Sequence, residues 1–218
     1  MATIDERGKR VITELEIRRA SAGDMIRIDE RAIVTPLAAD LVRDLGLKID
    51  RVGKRAAWRK YTIALGADHG GFEAKEKLKE TLTELGHDFR DFGTHSSEPV
   101  DYPDFAHVVA MAVARGNCDL GIMIDGAGIG SCMVANKVQG IRAAMCYDEA
   151  SARNSREHNG ANLLTLGGKM LPFERLEQIV TAWLSTSLTE ERHRRRVAKI
   201  DAIESEYVGV RTVKRAEK

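Results

Sequence analysis

Residues Ile122 to Lys137 read IMIDGAGIGSCMVANK. The apolar run from Ile122 to Ile124 has the character of a buried strand, and Asp125 ends it with an acid. Gly126, Gly128 and Gly130 then alternate, which lets the backbone bend and turn N–H groups toward an anion before a helix opens near Ser131. A carboxylate and an anion cradle therefore share one strand-to-helix bend. An ordinary tight turn has the same composition, so the neighbouring segments must decide. A dinucleotide fingerprint is the obvious rival, since Asp148 follows another apolar strand about 20 residues on. Its spacing fails: the glycines run G-x-G-x-G rather than G-x-G-x-x-G, and the loop follows a third strand rather than a first. No nicotinamide or flavin cofactor is expected.

Working outward, short apolar runs at Tyr61 to Gly66, Phe89 to Phe92, Leu120 to Asp125, Ile141 to Cys146 and Asn162 to Leu166 predict strands. Segments of helical period lie between and after them, at Gly71 to Leu85, Asp104 to Arg115, Ser131 to Lys137, Asp148 to Glu157, Pro172 to Leu184 and Thr189 to Glu204. Such alternation predicts an α/β fold, a five-stranded parallel Rossmann-like three-layer sandwich over residues 61–206. Residues 207–218 lack apolar periodicity and read as a tail. Residues 1–60 read as a small helical N-terminal extension. There Thr35-Pro36 starts a helix, Leu37, Leu41, Val42 and Leu45 share one face, and Gly46 stops it. That face either packs on the main domain or its dimer, or docks another protein. No internal repeat is evident.

A net charge of +1 over 218 residues gives no broad electrostatic attraction to nucleic acid or anionic membrane. Cys118, Cys132 and Cys146 are odd in number and lack C-x-x-C spacing, so neither a disulfide framework nor a zinc site is indicated. With no apolar run of spanning length, a cytoplasmic setting is expected.

Ligands of such sheets sit beyond the carboxyl ends of the strands. Asp68 and His69 follow the first strand, Asp125 the third, and His158 and Asn159 are placed at the same edge, just before the fifth. Each has a plain alternative: Asp68 as a helix cap, His158 as a surface histidine. Arg192 and Arg196 stand one turn apart on a helix, so two guanidiniums could share a phosphate, or simply decorate a solvated face.

Seven segments in order carry a resemblance: Ala67-Asp68-His69-Gly70-Gly71, Asp101 to Ala106, Gly126 to Gly130, Ala135-Asn136-Lys137, Gly140 to Ala144, His158 to Asn162 and Arg192 to Val197. Together they resemble the ribose-5-phosphate isomerase B and galactose-6-phosphate isomerase family. The resemblance implies a metal-free aldose–ketose isomerase of a sugar phosphate, most simply ribose 5-phosphate to ribulose 5-phosphate, working through a cis-enediol. A hexose 6-phosphate, or sugar-phosphate binding without turnover, are the alternatives. It implies that Asp68 and His158 assist ring opening and that His69, Arg192 and Arg196 hold the phosphate. Asn159 and the loop Gly126, Ala127, Gly128, Gly130 and Ser131 would face the enediolate oxygens, with Tyr102 also lining the substrate. It further implies a homodimer or homotetramer whose active sites combine residues of two subunits.

Many relatives carry a cysteine base where this chain has Asp125, and others a glutamate at the position of Ser131. With both groups missing, Asp125, shut away from water, is the expected enediol base ahead of Cys132. Relatives with the cysteine also often have threonine at Ala127 and a Gly-Gly pair at Glu190-Glu191. The stretches Ile33 to Leu37 and Leu45 to Ile49 resemble short targeting segments that precede several bacterial microcompartment enzymes, which implies a shell or cargo partner.

Overall fold

The computed structural model describes residues 3–6, 9, 11–29, 32–52 and 59–208. Most of the basic connector from Arg51 to Lys60 and the tail after Val208 lie outside the described residues. The chain divides into two compact units, residues 1–59 and 60–218.

The first unit is more than a helical extension. It contains β1 (Thr3–Asp5), β2 (Val11–Ile12), α1 (Glu14–Ile17), β3 (Met25–Asp29), β4 (Ile33–Val34), α2 (Pro36–Asp44) and β5 (Lys48–Val52). β1, β3 and β5 form one parallel sheet, and β2 and β4 pair in parallel as well. The unit is an internal duplication that sequence reading missed. A strand, a capping threonine, a helix, a glycine at positive φ and a second strand occur twice, as Val11 to Asp29 and Ile33 to Val52. Thr13 accepts a hydrogen bond from Leu15 N and forms a capping box with Glu16, while Thr35 accepts from Ala38 N. Gly23 and Gly46 both take φ values an L side chain rarely adopts. The unit has its own core of Ile12, Ile17, Ile26, Ile28, Ala32, Ala38 and Leu47, against which Leu41, Val42 and Leu45 pack. That answers where the α2 face goes: three of its four apolar residues are covered within their own unit, and Leu37 stays exposed.

In the second unit β6 (Thr62–Ala67), β7 (Asp88–Asp91), β8 (Leu120–Asp125), β9 (Ala143–Met145) and β10 (Leu163–Gly167) form one parallel sheet in the order β7-β6-β8-β10-β9. Between and after them run α3 (Phe72–Glu84), α4 (Tyr102–Ala114), α5 (Ile129–Ala135), α6 (Glu149–Glu157), α7 (Phe173–Leu184) and α8 (Glu191–Val208). This is the predicted five-stranded sandwich. α4 and α5 pack on each other, and Ala106, Val109, Ala110 and Val113 share a core with Ala64, Met123 and Leu163. α7 packs with α3 and α6. β8 and β10 are buried along their whole length, which is why they read as mostly apolar runs, broken in β10 by the buried Thr165, rather than alternating ones. From β6 the chain goes outward to β7 and returns to β8. The topological switch point therefore lies between the carboxyl ends of β6 and β8, where Asp68 and Asp125 emerge. Among the described residues no helix is long and apolar enough to cross a membrane.

Candidate active site in two halves

The first half sits at the carboxyl ends of β6, β8 and β10. Asp68 is buried, and its Oδ1 accepts from Gly70 N at 2.8 Å and Gly71 N at 3.0 Å, which folds the turn into α3. Its Oδ2 has no hydrogen-bond partner among the described residues. His69 follows, its Nδ1 engaged by the Val100 backbone at 3.2 Å from the carbonyl oxygen. The turn touches the glycine loop, since a Cβ on Gly70 would lie 3.2 Å from Gly126 N. Tyr102, at the start of α4, lays its ring against Gly130, where a Cβ would meet the ring at 2.5 Å. A cavity of about 390 Å³ opens beside His69 and Gly70, lined also by Ser97, Gly168 and Lys169. Lys169 escaped sequence reading although the strand-end rule points to it. Its N–H donates to Gly126 O, tying the β10 end to the loop.

Asp125 is where the structure departs most from expectation. Its Oδ1 accepts from Ala127 N at 2.8 Å and from Gly128 N, and its Oδ2 accepts from Ser131 N at 3.0 Å and from the Ser131 hydroxyl. The anion that the glycine loop cradles is the chain's own carboxylate. Asp125, expected as a free general base, is 4% exposed and each of its oxygens accepts two hydrogen bonds, so in this structure it is engaged as a clamp on the loop. Ser131, expected among the substrate contacts, is fully buried against it. Ala127 and Gly128 likewise spend their N–H groups on Asp125. Cys132 is no substitute: its Sγ turns toward Ala143 O at 3.5 Å, and burial pushes its thiol up.

The second half lies at the opposite end of the sheet. β10 runs parallel to β8 with Leu163 beside Gly121 and Gly167 beside Asp125, so residues before Leu163 are at the amino edge. His158 closes α6 there, and placing it with Asn159 at the same edge as Asp68 is corrected. A strand of this length separates the two groups by roughly 15 Å or more. His158 Nδ1 is 2.9 Å from Asn154 Nδ2, and its ring stacks on His193 with centroids 4.2 Å apart at 19°. His193, unremarked in the sequence except as part of a basic run, is 2% exposed, and burial holds its imidazole below the usual range with His158 and Arg192 acting the same way. Arg192 and Arg196 flank it on α8, both exposed, and Glu190 pairs with Arg192. Among the described residues no hydrogen bond, ion pair or ring contact joins this half to the first.

A family model described as Ribose/Galactose Isomerase matches residues 63–200. The chain belongs to the ribose/galactose isomerase family. Ribose-5-phosphate isomerase B of Escherichia coli is 46% identical over 142 residues, 65% of this chain and 95% of the relative. The structure of Clostridium thermocellum ribose-5-phosphate isomerase B has a TM-score of 0.65 and 47% identity, covering 67% of this chain and 99% of that one. D-erythrulose-4-phosphate isomerase of Pectobacterium atrosepticum is 39% identical over 56% of this chain and 82% of the relative. The match to the ribose/galactose isomerase family takes in both halves of the site and leaves the N-terminal unit outside it.

Proposed function

We propose that the chain interconverts an aldose phosphate and its ketose, with ribose 5-phosphate and ribulose 5-phosphate as the pair, in a site assembled from two subunits of a homodimer or homotetramer. One subunit supplies Asp68, His69, Tyr102 and the glycine loop. The other supplies His158, Asn159, Arg192 and Arg196. The observation that supports this is the placement of Asp68 and His158 at opposite ends of one sheet, too far apart within one chain to act on the same sugar. His158 moves a proton from the anomeric hydroxyl to the ring oxygen, opening the sugar. A base then takes the proton from carbon 2, the C–H electron pair forms the C1–C2 double bond, and the carbonyl oxygen on carbon 1 gains a proton. Returning a proton to carbon 1 while the carbon 2 hydroxyl loses its own gives the ketose, with no external oxidant. We assign the base to Asp68, whose Oδ2 is open while both Asp125 oxygens are spent on the loop. Asp125 keeps the glycine loop in place.

Incubating the purified protein with ribose 5-phosphate in deuterated water tests the reading. Ketose should form with solvent label at the exchanged carbon, and Asp68→Asn should lower turnover about a hundredfold or more. An active Asp68→Asn beside a folded but dead Asp125→Asn would return the base to Asp125. Preference for a four-carbon or six-carbon phosphate in the same assay would change the substrate and leave the chemistry.

The N-terminal unit exposes Val11, Leu15, Ile33 and Leu37, equivalent positions of its two repeats. This supports its use as an adapter that carries the cytoplasmic isomerase to a microcompartment shell or cargo protein. Fusing residues 1–59 to an unrelated soluble protein should confer co-purification with shells; a fusion that stays behind would refute the adapter.

A further inference from the structure

Glu190 stands at the entry to α8 among the groups assigned to the phosphate. Its backbone carbonyl accepts from His193 N at 3.0 Å and Arg194 N at 3.1 Å, so the helix start fixes its position. Its Oε2 accepts from Arg192 Nε and lies 3.7 Å from His193 Nε2. Arg192, followed by His193 and His158, holds the Glu190 carboxyl below the usual carboxylate range, so it is an anion at neutral pH. A guanidinium binds phosphate best through a fork of two parallel N–H groups, and the side-on fork of Arg192 includes the Nε that Glu190 occupies.

We propose that Glu190 is a built-in competitor for the phosphate position and sets the affinity of the site for anions. A ligand carrying two negative charges outcompetes the single carboxylate charge for Arg192, whereas a singly charged ligand gains nothing by displacing it. The proposal rests on the reading of Arg192 as a phosphate ligand. It makes Glu190 an affinity determinant that weakens binding of every anion, and most of all the doubly charged one that has to displace it.

The test uses the full-length protein, with methyl phosphate as the doubly charged probe and dimethyl phosphate as the singly charged one, each measured as an inhibitor of isomerisation at pH 8. In Glu190→Gln the inhibition constant for methyl phosphate and the KM for the sugar phosphate should fall about two- to fivefold, the span open to an exposed ion pair. Dimethyl phosphate, whose contact with Arg192 is weaker than the pair, should tighten by a smaller factor. In an Arg192→Ala background the same substitution should have no effect. Unchanged inhibition constants in Glu190→Gln, with Arg192→Ala weakening both probes, would overturn the proposal and leave the phosphate reading standing. Equal gains with and without Arg192 would overturn the pairing. Inhibition unaffected by Arg192→Ala would remove the phosphate reading and the proposal together.

Discussion

Four donors converge on the two oxygens of Asp125, and three of them are backbone N–H groups, of which those of Gly128 and Ser131 are buried. Asp125→Asn places an amide N–H₂ against donors, so at least one buried N–H loses its acceptor. We expect a loss of about 2 to 3 kcal/mol in denaturant unfolding, where a side chain serving only as a base would leave stability unmoved. The position of Asp125 was legible in the sequence, because an acid after an apolar run and before alternating glycines marks a strand end. Its occupation was not, because donor directions depend on Gly128 at φ +80° and on how α5 turns back, which no spacing states. His193 offers a second case. Folding refuses a proton that the unfolded chain accepts near 6.5, so the stability tied to His193 is complete above that pH and is lost as pH falls through it toward the lowered folded value. Stability measured from pH 7 down to 5 should therefore decline, and His193→Phe, which keeps the ring stack without a titrating group, should flatten that decline.

Strands and helices of the sheet unit were legible to within a few residues because burial on both faces writes β8 and β10 as mostly apolar runs, while crossover helices keep a polar side. β9 was read too long: only Ala143–Met145 pair with β10, and on the outer side of this edge strand the Asn136 side chain takes both the N–H and the carbonyl of Ala143. The N-terminal duplication was hidden by the shortness of β2 and β4, two residues each, below any periodic signal. Its capping threonines were readable, yet only their equivalence in space shows a repeated element. At the turn from β6 to α3 the glycine requirement is steric. A Cβ on Gly71 would sit 2.1 Å from the Ile124 carbonyl oxygen, a backbone atom that cannot step aside. Gly71→Ala should push α3 off the end of β8 and cost about 3 kcal/mol or more, by analogy with severe overpacking. Since Gly71 N also holds Asp68, activity should fall with it. Gly86→Ala, at a positive φ with no atom near its added Cβ, should show strain and spare the catalytic rate.

For the whole molecule, the decisive geometry is that one sheet carries the two groups of candidate site residues at opposite ends, a fact fixed by the parallel register of β8 and β10. Sequence motifs named both halves, and their separation was legible as well: His158 lies before its strand and Asp68 after its own, which in a parallel sheet means opposite edges. On the proposed roles a shared site follows from chemistry: arginines assigned to the phosphate, roughly 15 Å or more from a carboxylate assigned to the proton, could not serve one five-carbon sugar within one chain. Subunit mixing makes this measurable. Co-expressing one chain with Asp68→Asn and another with Arg192→Ala and Arg196→Ala should yield dimers in which one site carries every substitution and the other none. With random pairing about half the dimers are mixed, each with one intact site of two, so activity at low substrate should recover to about a quarter of the unsubstituted protein. Either homodimer alone should stay near background. If each subunit held a complete site, every site in the mixture would carry a lesion and no recovery would occur, whatever the pairing.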